Sequence, residues 1–190
     1  MRSGEFRPSP QEAQSAADSK WYACYTRGKH ENKVASHLDS RSIETFLPVH
    51  RHDVQWSDRR KTVQRPLFPS YVFARFAESE LPQVLNTRGL VTILRTGSRL
   101  AAIADEEIAN LRRFAEVLAD RGIVPEREPL IEAGDRVRVV TGPFAGIEGV
   151  AVLRRGRKRL LVALSTVAEG LVVDLDGATL QVIGAGASRP

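Results

Sequence analysis

Cysteine, methionine, tryptophan and long apolar runs are all scarce in this chain, and each scarcity removes a class of protein. A single thiol, Cys24, allows no internal disulfide and cannot build a zinc site alone. The apolar runs are only a few residues long, so no membrane-spanning helix and no membrane partner are expected. Residues 1–19 lack the apolar core of a secretory signal, which leaves a cytoplasmic location as the expectation. Catalytic clusters are equally thin. Cys24 could be set beside His30 or His37, yet it lies mid-strand among aromatics and no third orienting group accompanies it, so it reads as a buried thiol. His50 and His52 share a strand face, but no cysteine or carboxylate cluster completes a metal site. No enzyme activity, metal or cofactor is expected.

What remains is an ordinary folding composition, 42% hydrophobic and 27% charged, in a length that suits one large or two small domains. A formal charge of +5 and a pI near 9.8 point to a polyanion only where the basic residues cluster. Aromatics make up 6% of the chain and are unevenly spread. Phe68, Tyr71, Phe73 and Phe76 fall within twelve residues, Arg65 to Phe76, where alternation after Pro69 predicts a strand. Trp21, Tyr22 and Tyr25 enrich an earlier one. Such a concentration serves either as the centre of a core or as a set of protein-docking anchors, and both readings stay open at this point.

In chain order, residues 1–19 read as a polar tail and Lys20–Thr26 as a first strand ending at Arg27-Gly28. Lys29 to Arg41 carries Val34, Ala35 and Leu38 at helical spacing. Extended structure from Ile43 to Trp56, a charged tip at Ser57–Lys61 and a return through Thr62–Gln64 predict a basic hairpin. A short helix from Ser79 to Asn86, a strand from Leu90 to Arg95 and a longer helix capped by Asp105 and ending at Arg121-Gly122 follow. The segment 122–133, with two prolines and alternating charge, predicts a flexible linker. From Gly134 to Gly184 the pattern is β throughout, and its glycines at 142, 146 and 149 serve tight turns or close approach rather than a phosphate cradle. The expected fold class is α+β. An N-terminal α/β sandwich, an antiparallel sheet flanked by helices over residues 20–121, carries 17 basic and 12 acidic residues. A five-stranded β-barrel over 134–184 follows, with a tail at 185–190.

Gly134-Asp-Arg-Val-Arg-Val-Val-Thr-Gly-Pro-Phe-Ala-Gly-Ile-Glu-Gly149 resembles a KOW motif. Lys20-Trp21-Tyr22 with its helix, and Pro66-Leu-Phe-Pro-Ser-Tyr-Val-Phe73, resemble the N-terminal (NGN) domain of the NusG family of transcription elongation factors. Pro66–Tyr71 and Asn86-Thr87-Arg88-Gly89 are at least as similar to the specialised paralogue RfaH as to housekeeping members. The resemblance implies a monomeric transcription elongation, antitermination or termination factor whose N-terminal domain bridges the clamp helices of RNA polymerase and the opposite pincer. On that likeness Trp21, Tyr22, Tyr25, Phe68, Pro69, Tyr71, Phe73 and Ile93 would contact polymerase. The segment Glu80 to Leu85 stands where RfaH has a His-Thr-Thr contact that this chain lacks. Arg27, His37, Arg41, Thr87 and Arg88 would face non-template DNA, and Arg59, Arg60 and Lys61 upstream DNA, through phosphates or bases. Pro143, Phe144, Ala145 and Ile147 match the KOW loop that binds the Rho termination factor or a small-subunit ribosomal protein, although Phe144 equally suits a barrel core. The basic run Arg154–Arg159 reads as an RNA or ribosome contact or as a solvated tip. The rival reading is a ribosome-associated, RNA-binding KOW protein acting in translation.

Overall fold

Seven residues, Lys20–Thr26, form β1, and the rest of the N-terminal region is built around them. The computed structural model describes residues 18–55, 60–129, 134–154 and 156–184. After β1 come α1 (Glu31–Asp39), β2 (Glu44–Phe46), the hairpin β3 (Val49–Gln55) and β4 (Arg60–Pro66), and β5 (Tyr71–Phe76). A 3-10 turn at Glu78–Glu80 leads into α2 (Leu81–Leu85), then β6 (Leu90–Ile93), the small hairpin β7 (Arg95–Thr96) and β8 (Arg99–Leu100), β9 (Ala102–Ile103) and α3 (Asp105–Arg121). The C-terminal strands are β10 (Glu126–Pro129), β11 (Arg136–Val139), β12 (Glu148–Arg154), β13 (Arg157–Ala163), β14 (Glu169–Asp174) and β15 (Leu180–Gly184). The chain divides into two compact units, Met1–Leu47 with Ser70–Ala102, and Pro48–Pro69 with Ile103–Pro190. That division differs from the expected boundary after Arg121, because the β3–β4 hairpin and α3 group with the C-terminal strands.

In the first unit β1 lies between β5 and β6 in a sheet of order β2-β5-β1-β6, with β9 also pairing β1. Strand alternation sends Tyr22 and Cys24 to one side, where they meet Val72, Ala74 and Phe76 of β5, Ile93 of β6, and Val34, Ala35 and Leu38 of α1. The Tyr22 and Phe76 rings lie 4.6 Å apart in this core. Helix α1 is two residues shorter at each end than its apolar period suggests. Lys29 and Ser42 take left-handed backbone conformations, φ 64° and 62°, which a continuing helix does not permit. Its first residue, Glu31, is buried, and its Oε1 accepts the Ser70 amide at 2.7 Å, fixing the turn into β5.

The second unit holds a six-stranded antiparallel sheet of order β10-β14-β13-β12-β11-β15. Five of these strands are those expected for the C-terminal domain. The sixth, β10, falls in the segment read as a linker and pairs Glu126 to Val172 through Pro129 to Glu169. No pairing between β10 and β15 closes the sheet among the described residues. Gly142 and Gly146 take φ 92° and 84°, and a Cβ at Gly149 would stand 2.5 Å from the Leu161 carbonyl oxygen, as their turn and close-approach roles require. Helix α3 ends at Gly122, whose φ of 62° forms a left-handed cap. Asp105 is its first helical residue and Ala104 occupies the cap, so Asp105, Glu106 and Glu107 favour the start through the helix dipole instead.

Burial alone pushes the Cys24 thiol from 9.0 up to about 12. The folded value lies above the unfolded one, so this contribution to stability is complete below about pH 9 and is lost as pH climbs towards 12. Urea unfolding should show the wild type losing stability relative to Cys24→Ala across that window, by up to about 1.4 kcal/mol per pH unit. A pH-independent difference between the two would contradict it.

Candidate partner-binding surfaces

The face of the first sheet opposite α1 is aromatic. Register pairs Trp21 with Arg75, Ala23 with Phe73 and Tyr25 with Tyr71, and β2 brings Phe46 opposite Phe73. The Tyr25 and Tyr71 rings are tilted at 5.4 Å, and those of Phe46 and Phe73 at 6.2 Å. Tyr25 is 38% exposed and Tyr71 half-buried, whereas Trp21 and Phe73 are buried. The tyrosine pair is therefore accessible on this face, together with parts of Phe46 and Arg75. Three of the residues assigned to polymerase lie elsewhere. Tyr22 and Ile93 point into the α1-side core, because alternation along β1 cannot place Trp21 and Tyr22 on one face. Burial, and then the charge of Glu78, push the Tyr22 hydroxyl above its ordinary range. Phe68 is 1% exposed and follows Leu67, whose amide bonds the Pro48 carbonyl at 2.8 Å, so it is an interior residue beside the exposed Pro69.

At one end of this sheet the backbone gathers the basic residues. The Arg27 amide donates to the Gly89 carbonyl at 2.9 Å, tying the turn after β1 to the turn before β6 and setting the exposed Arg27 and Arg88 on joined loops. Gly89 has φ 99°, and a Cβ there would meet the His30 ring at 3.1 Å. The Arg41 guanidinium donates to the Gln83 carbonyl at 2.8 Å and to Thr87 Oγ1 at 3.2 Å. Thr87 is 3% exposed, so it supports Arg41 and does not itself face a ligand. His37 is exposed in the last turn of α1. Arg60 and Lys61 begin β4 opposite Gln55 and Val54, at the end of the hairpin where β3 passes into β4, and Arg59 lies outside the described residues. The Glu80–Leu85 segment is tied to its surroundings at two points, Glu80 Oε2 accepting the Ala77 amide at 2.8 Å and the Gln83 carbonyl accepting from Arg41. Arg95 and Arg99 add two further arginines that the sequence reading did not single out, Arg95 donating to the Ser98 carbonyl at 2.9 Å. Both are exposed on the β7–β8 hairpin, whose two-residue strands leave no period to detect.

In the second unit, α3 grips the C-terminal sheet with residues 107, 110 and 114, spaced to share one helix face. Glu107 accepts the Ser165 amide at 2.8 Å and its hydroxyl at 3.1 Å. Asn110 donates to the Glu148 carbonyl at 2.8 Å and accepts its amide at 2.9 Å, as a neighbouring strand would. The Phe114 and Phe144 rings lie 5.6 Å apart. A cleft of about 350 Å³ beside these grips is lined by Glu106, Arg136, Val150, Leu161 and Ala163 among others. Phe144 and Ile147 are 4% and 1% exposed, so both side chains point inward here, while Pro143 and Ala145 stay exposed. Arg159 also departs from the solvated tip. Its side chain is 17% exposed and bonds Glu126 and Asp174, first the one and then the other holding its guanidinium more firmly protonated. Arg155 lies outside the described residues.

Among the described residues no three His, Cys, Asp or Glu side chains are grouped to hold a metal, and no helix is long and apolar enough to cross a membrane. A family model described as "Transcription termination factor nusG" matches residues 19–112. Transcription termination/antitermination protein NusG of Thermus thermophilus is 24% identical over 165 residues, covering 76% of this chain and 89% of the relative. The chain belongs to the NusG family. Its Deinococcus radiodurans relative of the same name is 27% identical over 181 residues, 83% of this chain and 95% of that one, and the Escherichia coli K12 relative 26% over 180 residues. A solved structure titled "Domain interaction in Thermotoga maritima NusG" covers 88% of this chain with a TM-score of 0.50 and 21% identity, a likeness of fold. The chain is thus a non-enzymatic transcription termination/antitermination factor of NGN and KOW architecture.

The Phe114–Phe144 ring contact is an apolar part of the α3 docking, beside the polar grips of Glu107 and Asn110. Phe114→Ala should lower stability by about 3–5 kcal/mol, the range for truncating a buried aromatic, read as a lower urea midpoint. An unchanged midpoint would show that the ring pair carries no weight.

Proposed function

We propose that this NusG-family protein is an elongation and antitermination factor that binds RNA polymerase through its N-terminal domain, keeps the clamp closed and suppresses pausing. Its KOW domain recruits the Rho termination factor or a small-subunit ribosomal protein. The observation that carries this reading is the aromatic sheet face with the accessible Tyr25–Tyr71 pair at its edge. Rigid, partly apolar rings with hydroxyl handles are the side chains that anchor protein interfaces. Trp21 and Phe73 belong to the same sheet face and are buried in it. The joined Arg27 and Arg88 loops, with Arg41 braced by Thr87, supply cations for the phosphates of an exposed DNA strand; Arg60 and Lys61 add to that charge, and His37 offers an imidazole to phosphate or base. Phe144, in ring contact with Phe114 of α3, becomes available to a KOW partner only once α3 has moved off it.

Binding to core RNA polymerase tests the first part. Tyr25→Ala/Tyr71→Ala should weaken it about 10- to 100-fold while leaving the melting transition nearly in place, because these rings are not the buried ones. Wild-type protein that ignores polymerase and binds ribosomes or structured RNA would replace this reading with the translational one. Arg27→Ala/Arg88→Ala should retain polymerase binding and reduce the slope of log affinity against log salt for single-stranded DNA by about 1.4. An unaltered slope would remove these two arginines from the DNA surface.

A further inference from the structure

Strand β10 has the sequence Glu-Arg-Glu-Pro, with no apolar stripe to bury, yet all four residues pair with β14. What holds it comes from two strands away. Arg159 of β13 meets both carboxylate oxygens of Glu126, at 2.8 and 3.0 Å, and lies 3.6 Å from Glu128. The same guanidinium gives its Nε to Asp174 of β14 at 2.6 Å, so one side chain spans three strands. Glu126 and Glu128, two apart on a strand, share the face that Arg159 reaches. A planar bidentate pair on an arginine only 17% exposed is far from the solvated ion pairs that contribute nothing.

The position of β10 gives this arrangement a consequence. Helix α3 ends at Arg121, so only residues 122–125 join it to β10. Upstream, α3 is fastened to the same sheet by Glu107, Asn110 and Phe114.

We infer that β10 is an Arg159-held clasp that sets the length of the connection between α3 and the C-terminal sheet, and thereby how readily α3 leaves Phe144. With the clasp closed, the link of four residues reaches at most about 17 Å, and a displaced helix is quickly recaptured. With it open, residues 122–133 span up to about 45 Å. Local concentration falls roughly as the three-halves power of tether length, so opening the clasp raises the undocked population of α3 about fivefold. The inference rests on the contacts within this unit and not on the identity of any partner.

Amide hydrogen exchange on the full chain, followed by NMR, tests both halves. Arg159→Met should speed exchange at Glu126 to Glu128 by about 10- to 100-fold, the loss of a charged hydrogen-bond set. The Glu148 and Ser165 amides, which bond Asn110 and Glu107, should exchange about fivefold faster. Glu126→Gln/Glu128→Gln leaves the Arg159–Asp174 bond in place and should reproduce both changes, with the Leu161 amide still protected as a check that the sheet is folded. Wild-type protection at β10 in the Gln double variant would overturn the clasp. A loosened β10 with Glu148 and Ser165 unmoved would overturn its control of α3.

Discussion

The pleat of β1 is the constraint on which the N-terminal unit depends. Between Trp21 and Cys24 every residue is buried, which a strand achieves only when both of its faces are covered and both of its edges paired. Tyr22 and Cys24 go to the α1 side, Trp21 and Ala23 to the other. Tyr25 lies at the end of the second set, where covering gives out, and its ring finds Tyr71 across the ladder. The same alternation that builds the core therefore delivers an aromatic pair to the surface. Moving β1 by one residue would exchange its two faces, carrying Tyr25 away from Tyr71 and Cys24 out of the α1-side core.

A comparable division governs α3. Its apolar residues Ile108, Leu111, Phe114, Ala115 and Leu118 are all buried, but the contacts that fix its position on the C-terminal sheet are partly polar. Asn110 completes a strand-like pair of hydrogen bonds with Glu148, and Glu107 satisfies the Ser165 turn. Polar grips of this kind exchange for water at modest net cost, about 0.5–1.5 kcal/mol each, whereas an apolar seam of the same area would not come apart so readily. Glu107 and Asn110 thus provide specific placement while leaving the helix removable, and Phe144 is covered by contacts that can be undone.

Periodic elements were legible in the sequence. Val34, Ala35 and Leu38 marked α1, the 71–76 alternation marked β5, and Gly122, Gly142, Gly146 and Gly149 marked backbone positions that the structure uses as such. The family was legible too, from Pro66–Phe73 and Gly134–Gly149 together. Side-chain exposure was not. A strand of mixed aromatics gives no local sign of which face will be covered, so Tyr22, Phe68 and Ile93 could not be told from Tyr25 and Tyr71. Thr87 was indistinguishable from a surface hydroxyl because its partner, Arg41, lies forty-six residues earlier. β10 escaped for the same reason: its stability comes from β14 and Arg159, more than thirty residues downstream.

Arg159 also shows why counting charge overstates affinity for nucleic acid. The run Arg154–Arg159 carries five basic residues in six. Two of them, Arg157 and Arg159, face Asp174, at 3.5 and 2.6 Å, and Arg159 faces Glu126 and Glu128 as well. A guanidinium already enclosed by carboxylates releases no counterions when a phosphate approaches and would have to break bonds to bind it. Arg27 and Arg88 differ, being exposed on loops joined through backbone atoms. The modest net charge is thus divided between arginines that hold the C-terminal strands together and arginines available to a polyanion. On the proposed reading it is the second group, not the total, that would set the salt dependence of binding.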